Sequence, residues 1–291
     1  MKNLRQVAVL GLGLIGGSIS LAILRSFTKV KVVGYTHRPS TRDKARRLAV
    51  ASEVVDDICQ SVRDADLVIL ATPLSTFENI FAEIADALPV GCIVTDVGST
   101  KTLPHRWADK RLPGSVNYVG SHPIAGSEQR SIEYARDDLF DRAMCILTAT
   151  AKTNRRALQI LKSFWSQLGC SVKITTPAEH DRIFANVSHL PHMLAAALIN
   201  ANSSEDLNFA GKGFMDTSRV ASGPANVWAD VLMTNTKNAI KGIDKVIAEL
   251  DKLKEAIKGK NKTKIEKLLE RARGKRETLI KYKIRKKELI S

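Results

Sequence analysis

The sequence predicts an α/β protein: a doubly wound, mainly parallel sheet over residues 1–176, followed by an all-helical region over residues 177–291. Three observations predict it. Short apolar runs such as Gln6–Leu10 (QVAVL) and Ala65–Ala71 (ADLVILA) alternate with stretches of helical period, the pattern of strands buried on both faces with helices between them. A Gly-x-Gly-x-x-Gly segment stands between the first such run and the first helix. From Pro177 onward the strand signal vanishes.

The bulk properties narrow the class. A hydrophobic fraction of 44% and a charged fraction of 26% describe an ordinary globular chain, and no apolar run is long enough for a bilayer. Cys59, Cys92, Cys145 and Cys170 lie far apart without a Cys-x-x-Cys, so neither a disulfide framework nor a zinc site is expected. Isolated thiols fit a reducing cytoplasm, and the first strand begins too early to leave room for a signal peptide. The net charge of +15 is concentrated at one end. Residues 237–291 hold 19 Lys+Arg against 8 Asp+Glu, a net +11, leaving +4 on the other 236 residues. The basic residues there are interleaved with acids on helical faces and lack aromatic neighbours, so a solvated face is expected and not a nucleic-acid site.

In chain order, the strand Gln6–Leu10 runs into Gly11-Leu-Gly13-Leu14-Ile15-Gly16 and then a helix over Ile19–Phe27. Gly11 permits the tight turn, Gly13 lets backbone approach a pyrophosphate, and Gly16 lets helix pack on strand; the helix N-terminus supplies amide donors to the phosphates. The second strand, Lys31–Tyr35, ends where an acid would bind the ribose of NAD. Thr36, His37, Arg38, Pro39, Ser40 and Thr41 stand there instead. A hydroxyl, an imidazole and a guanidinium suit the 2′-phosphate of NADP, with NAD as the alternative. A helix over Arg42–Ala51 precedes the strand Ala65–Ala71, whose end, Ala71-Thr72-Pro73, faces the ligand edge of such a sheet.

A helix over Thr76–Ala87 leads to the strand Cys92–Val97, which delivers Ser99 to the same edge, as a partner for an imidazole or substrate or as a helix N-cap. The stretch Gly120–Glu128 (GSHPIAGSE) carries the central candidate, His122, on a turn after an apparent strand Asn117–Gly120. Imidazole titrates nearest to working pH, and a rigid turn off a sheet edge can aim a general base. Strands at Arg142–Thr148 and Ser171–Thr176, with a helix over Arg155–Leu168 between them, complete the sheet.

One helix is expected over Ala178–Asn202, with His189 and His192 three residues apart on one face. Their spacing, without an acid or third ligand, argues against a metal, so they read as polar cleft residues. Gly211–Asn226 is polar and glycine-rich and contains Asp216 and Arg219. A long helix from Val227 presents Ile240, Ile243, Ile247, Leu250 and Ile257 as an apolar stripe, Gly259–Asn261 breaks it, and a last helix follows. So much apolar surface on so few helices calls for a second subunit.

GLGLIGGS, ATP at 71–73, DVGSTK at 96–101, GSHPIAGSE at 120–128, SHLPH at 188–192, FMDTSR at 214–219 and Val227-Trp228 follow one another as in the prephenate and arogenate dehydrogenases, and the chain resembles that family over nearly its whole length. The resemblance implies a Rossmann-type domain followed by an all-helical dimerisation domain, and oxidative decarboxylation of prephenate or arogenate with hydride transfer to NAD(P) in tyrosine biosynthesis. It implies His122 as catalytic base with Ser99 as its partner, and Arg219 as the ligand of the ring carboxylate. Ser127, Glu128, His189, His192 and Asp216 fall at substrate-side positions. Trp228 falls where a partner subunit contributes to the site. Thr36-His37-Arg38 is more similar to the NADP-using arogenate enzymes. No regulatory module is expected after the helices and no chorismate mutase region before Gln6.

Two other readings stay open on sequence. A β-hydroxy-acid dehydrogenase of similar architecture shares the glycine loop but leaves HPIAGSE with Arg219 unexplained. A non-catalytic NADP-binding protein, or a nucleic-acid binder using its basic end, belongs to a different class. The choice between prephenate and arogenate, which differ by a keto against an amino group, is not legible.

Overall fold

The computed structural model of the chain describes residues 4–125 and 131–285; the candidate substrate positions Ser127 and Glu128 lie outside the described residues. Six parallel strands form the first sheet: β1 (Gln6–Leu10), β2 (Lys31–Tyr35), β3 (Glu53–Val54), β4 (Leu67–Leu70), β5 (Ile93–Asp96) and β6 (Asn117–Tyr118), in the order β3-β2-β1-β4-β5-β6. Helices α1 (Leu14–Ser26), α2 (Pro39–Arg47), α3 (Ile58–Val62), α4 (Phe77–Ile84) and α5 (Thr102–Arg111) connect them. Alternation along β1 shows the double winding. Val7 and Val9 enter one apolar core and Ala8 and Leu10 the other, and Leu67 and Ile69 of β4 part from Val68 and Leu70 in the same way. Strands buried on both faces need continuous apolar sequence, which is why they were legible.

The strand order reverses between β1 and β4, which opens a crevice beyond their carboxyl ends. Leu10 pairs with both Tyr35 and Leu70, and Leu70 with Asp96. Gly11, Thr36, Ala71 and Val97 therefore leave the sheet side by side.

The chain does not add its remaining strands to this sheet, contrary to the single sheet expected. After Val119 N–H donates to the Val94 carbonyl, a second sheet begins with β7 (Gly120–Ile124), antiparallel to β8 (Met144–Thr148), which is parallel to β9 (Ser171–Thr175); α6 (Arg155–Gln167) links the last two. Gly120 makes the crossing possible, since a Cβ there would stand 2.5 Å from Thr148 Oγ1 and 3.0 Å from Lys101 Cδ. His122 thus lies in a strand, paired with Ile146, and not on a turn. Pro123 is tolerated because β7 is an edge of the second sheet.

The helical part also departs from expectation in its divisions. The stretch read as one helix is α7 (Pro177–Phe184), a π-helical turn over Ala185–His189, and α8 (Leu190–Asn200). Pro191 has no N–H to give, and a wider turn carries the chain past it, with Leu190 N–H bonding the Ala185 carbonyl. The glycine-rich stretch is itself helical: after α9 (Ser204–Leu207) come α10 (Lys212–Ser218), a 3₁₀ turn over Arg219–Ser222 and α11 (Ala225–Thr234). The long helix is interrupted at Asn235, where α11 gives way to α12 (Thr236–Lys258) and then α13 (Lys262–Arg285).

The chain forms two compact units, Met1–Ala239 and Ile240–Ser291. In the second, Ile243, Ile247, Leu250, Ile257, Leu269 and Leu279 are all exposed, and Arg271 pairs with Glu249 at 2.5 Å.

Gly11 adopts φ +101°, and a Cβ on it would stand 2.6 Å from the Ala71 carbonyl oxygen. Gly11→Ala is therefore expected to cost about 1–3 kcal/mol and to lower Tm by several degrees. Thermal unfolding of the variant checks this, and an unchanged Tm would contradict it.

Candidate active site

The glycine loop supplies the first half of the site. Gly11 N–H donates to the Tyr35 carbonyl at 2.7 Å, closing β1 onto β2. At Gly16 a Cβ would overlap the Gly11 oxygen at 1.8 Å, so the helix must start against the loop. Gly13 begins α1 without any side-chain cap, which leaves the amides of a thirteen-residue helix for an anion. Leu14 is buried and Ile15 half-buried behind them. Ala71 and Thr72 are half-buried on the other side of the crevice, with Pro73 exposed; Thr76 Oγ1 donates to Thr72 Oγ1 at 2.8 Å. These residues fit a dinucleotide.

Beyond β2 the basic residues separate. Arg42 Nη1 donates to the Thr36 carbonyl at 2.7 Å and the His37 carbonyl at 3.1 Å, and its Nε lies 2.7 Å from Asp56. It shapes the loop. His37 and Arg38 are exposed at the start of α2, Thr41 half-buried behind them, and Thr36 is buried.

The second half is built around His122. Its Nδ1 lies 2.8 Å from His180 Nε2, and His180 Nδ1 lies 2.9 Å from Asp181 Oδ1. Phe184 packs against both rings, with centroids at 4.8 and 4.5 Å. Asp181 is saturated: Lys101 N–H donates to Oδ1 at 2.7 Å and Thr102 N–H to Oδ2 at 2.8 Å. Against burial, which alone would raise it, the His180 hydrogen bond and then these amide donors hold its carboxyl below the usual range. Lys101 has no exposed surface; its ammonium pairs with Asp96 and donates to the Ser121 carbonyl at 2.6 Å. Burial first, then unfavourable electrostatics with His180, Lys101 and His189, push the His122 imidazole well below its ordinary pKa.

The sequence singled out Ser99 as partner or helix cap. The cap of α5 is instead Asp181, reaching across from α7, while the Ser99 backbone acts on His189. His122 Nδ1, for which Ser99 was one expected partner, is engaged by His180. His180, Asp181, Lys101 and Asp96 were not anticipated. A signal existed: Pro177, His180, Asp181 and Phe184 occupy i, i+3, i+4 and i+7 of α7 and all are buried, so a polar pair stands on a core face, where it needs partners.

His189 is fully buried. Asn235 Nδ2 lies 3.3 Å from its Nδ1 and also donates to the Asp181 carbonyl at 2.8 Å, while His189 Nε2 has no hydrogen-bond partner. His192 stacks on Trp228 of the same chain at 3.6 Å and 11°, and its Nδ1 too lacks a partner. A Cβ on Gly223 would strike both rings. Arg219 and Asp216 are exposed; the 3₁₀ turn that Arg219 opens packs on α8, which carries His192. Asp230 ties α11 to the crevice through Ser75 N and Oγ at 3.2 and 2.7 Å. Among the described residues no group of three His, Cys, Asp or Glu is placed to hold a metal, and no helix is long and apolar enough to cross a membrane.

A glycine cradle at a strand-order switch, with a half-buried imidazole backed by a buried one beyond the same sheet edge, defines a dinucleotide-binding dehydrogenase. Comparison with known proteins gives the family. Residues 19–174 match the model "Prephenate dehydrogenase, nucleotide-binding domain" and residues 176–271 match "Prephenate dehydrogenase, dimerization domain"; the chain belongs to the prephenate dehydrogenase family. It is 34% identical over 262 residues to the prephenate dehydrogenase of Bacillus subtilis, covering 87% of this chain and 71% of that one. It is 33% identical over 264 residues to the cyclohexadienyl dehydrogenase of Zymomonas mobilis, covering 88% and 90%. The crystal structure of prephenate dehydrogenase from Aquifex aeolicus with hydroxyphenyl propionate and NAD+ superposes with a TM-score of 0.88 at 32% identity, over 95% of this chain and 99% of that one. A 3-hydroxyisobutyrate dehydrogenase of Mycobacterium tuberculosis, at 15% identity and a TM-score of 0.53, shares the fold alone.

Burial holds His105 and His189 neutral, each lowered to about 4 from an ordinary 6.5. The unfolded chain takes up these protons near pH 6.5 and the folded chain only near 4, so stability falls as pH drops through that window and is fully present above it. Each site accounts for about 3 kcal/mol at most. Urea midpoints measured from pH 7 to pH 4 should decline steadily; a flat profile would contradict the burial of neutral imidazoles.

Proposed function

We propose that the chain catalyses the oxidative decarboxylation of prephenate or arogenate, as a homodimer, with NADP as its preferred cofactor and NAD as the alternative. The observation that carries the reaction is the imidazole of His122, held by His180 beyond the edge of a dinucleotide cradle in a member of this family. Gly11, Gly13 and Gly16 would hold the pyrophosphate, and Ala71–Pro73 would flank the crevice. When bound, the nicotinamide supplies the acceptor for the hydride leaving the carbinol carbon. His122 accepts the hydroxyl proton as that carbon becomes a carbonyl. The bond to the ring carboxylate then breaks, carbon dioxide departs, and its electron pair passes through the ring to the oxygen. The proton returns there and a phenol results. Aromatisation makes the sequence strongly downhill, so the protein has chiefly to orient the reactants and place one base.

Arg219 suits the ring carboxylate as a planar donor fork. His189 and His192, each with an unpartnered ring nitrogen, are substrate-side donors in this reading, and Ser99, Ser127, Glu128, Asp216 and Trp228 complete the substrate side. Arg38 and His37, exposed where an acid would favour NAD, support NADP. The dimer reading draws on the match to a dimerization domain and on the exposed apolar residues of α12 and α13. Residues 177–291 are the substrate and dimerisation part in this proposal. Four free cysteines accord with a cytoplasmic setting.

His122→Asn is expected to lower kcat by about 10²–10⁴-fold with little change in KM, whereas Arg219→Ala should chiefly raise KM. Steady-state kinetics separate the two, and a fully active His122→Asn would remove that residue from the mechanism. Assays crossing prephenate and arogenate with NADP and NAD test the reaction and the cofactor together. NADP should turn over at least tenfold better, with Arg38→Ala weakening NADP alone; equal or better turnover with NAD would reject the preference, and no turnover with either substrate would reject the reaction.

A further inference from the structure

We infer that His180 and Asp181 are positioning residues that fix His122 in its Nδ1–H tautomer, so that Nε2 is the nitrogen left with a lone pair for catalysis. The inference rests on His122 as the base only for its catalytic consequence; the tautomer itself follows from hydrogen bonding.

The assignment runs outward from Asp181. Both of its oxygens accept main-chain N–H groups, from Lys101 at 2.7 Å and Thr102 at 2.8 Å. A carboxylate held by such donors is ionised and can only accept. The group 2.9 Å from Asp181 Oδ1, His180 Nδ1, must therefore be the donor. A neutral imidazole carries one N–H, so His180 Nε2 is an acceptor. The atom 2.8 Å from it is His122 Nδ1, which must then donate. Both rings are kept neutral chiefly by burial, so His122 carries no second proton. Each link leaves one possibility for the next, and the last is a lone pair on His122 Nε2.

That outcome is not the default. A histidine side chain in water favours the Nε2–H form, which would present a proton where the reaction needs an acceptor. The two positioning residues reverse the preference, as a buried carboxylate does for the base of a serine protease. They also fix the ring in space. Phe184 is stacked on His180 at 22° and tilted against His122 at 54°, and the Lys101 ammonium holds the Ser121 carbonyl one residue away at 2.6 Å. The relay spans 58 residues of sequence between His122 and His180, so it forms only when the second sheet and α7 are both in place.

The tautomer is read directly by long-range ¹H–¹⁵N correlation on the full chain with ¹⁵N-labelled histidine. Only six histidines are present, and the His122 signals are identified by their loss in His122→Asn. The expected result is a protonated Nδ1 and an unprotonated Nε2 at His122, with and without NADP. An Nε2–H signal for His122 in the wild-type chain overturns the inference, whatever the variants do. His180→Phe keeps the ring that stacks on Phe184 but removes the acceptor. It should release His122 to the Nε2–H form and lower kcat by about 10–10²-fold, with KM changed less than about twofold. His180→Gln places an amide oxygen near the former Nε2 and should restore most of that loss along with the Nδ1–H signal. A His180→Phe variant with unchanged tautomer and unchanged kcat would also overturn it. Should His122→Asn prove active while the Nδ1–H signal is present, the base assignment fails and the positioning stands.

Discussion

Lys101 has no exposed surface, and the arrangement around His122 follows from how its charge is answered. Its ammonium pairs with Asp96 at the end of β5 and donates to the Ser121 carbonyl in β7. Asp96 is itself saturated, accepting from Tyr118 Oη at 2.5 Å and Gly98 N–H at 2.7 Å. Such a buried pair adds little net stability, because desolvation offsets most of the attraction, yet loss of one partner costs about 3–5 kcal/mol. Its importance is geometric. It joins the carboxyl edge of the first sheet to the edge strand of the second, one residue from the candidate base.

The same lysine shapes the electrostatics. Asp181 is held by the Lys101 main chain while the Lys101 charge lowers the pKa of both imidazoles, so one residue anchors the relay and discourages its protonation. Burial is the larger cause of the lowered pKa at His122 and His180, with Lys101 acting in the same direction. A base that must begin neutral is better served by a nearby cation than by a nearby carboxylate. The two carboxylates are accordingly kept one step away, Asp96 below the ammonium and Asp181 behind His180.

Features encoded by local period or by one backbone requirement were legible in the sequence. The apolar runs of β1, β4 and β5 are buried on both faces, and the glycine loop follows from the close approach of Gly11 to Ala71 and of Gly16 to Gly11. Features fixed by distant packing were not. Asn117–Gly120 looks like one strand because only Val119 separates β6 from β7, and nothing local tells the chain to change sheets. The interruption at Asn235 has the same origin, since its side chain is spent on Asp181 and His189, some fifty residues away. For His122 the sequence suggested Ser99 as partner, whereas the group bonded to its Nδ1 is His180. A histidine–aspartate pair on a core face was visible in α7; which atom it served depended on a contact that no spacing rule carries.

The crevice beyond β2 makes a related point about charge. His37, Arg38 and Arg42 stand within six positions; in sequence Thr36, His37 and Arg38 read as a site for a 2′-phosphate, and Arg42 as the start of the next helix. The fold divides them. Arg42 bonds two carbonyls of the loop and faces Asp56, so its guanidinium is consumed in giving the turn its shape. Arg38 is exposed at the start of α2, at a helix N-terminus whose dipole favours anions. The exposed residues His37 and Arg38 thus stand on a turn whose backbone is held by Arg42. A turn braced in this way can change its exposed residues without disturbing the sheet beneath, whereas the relay behind His122, bonded through two sheets and a helix, has no such freedom.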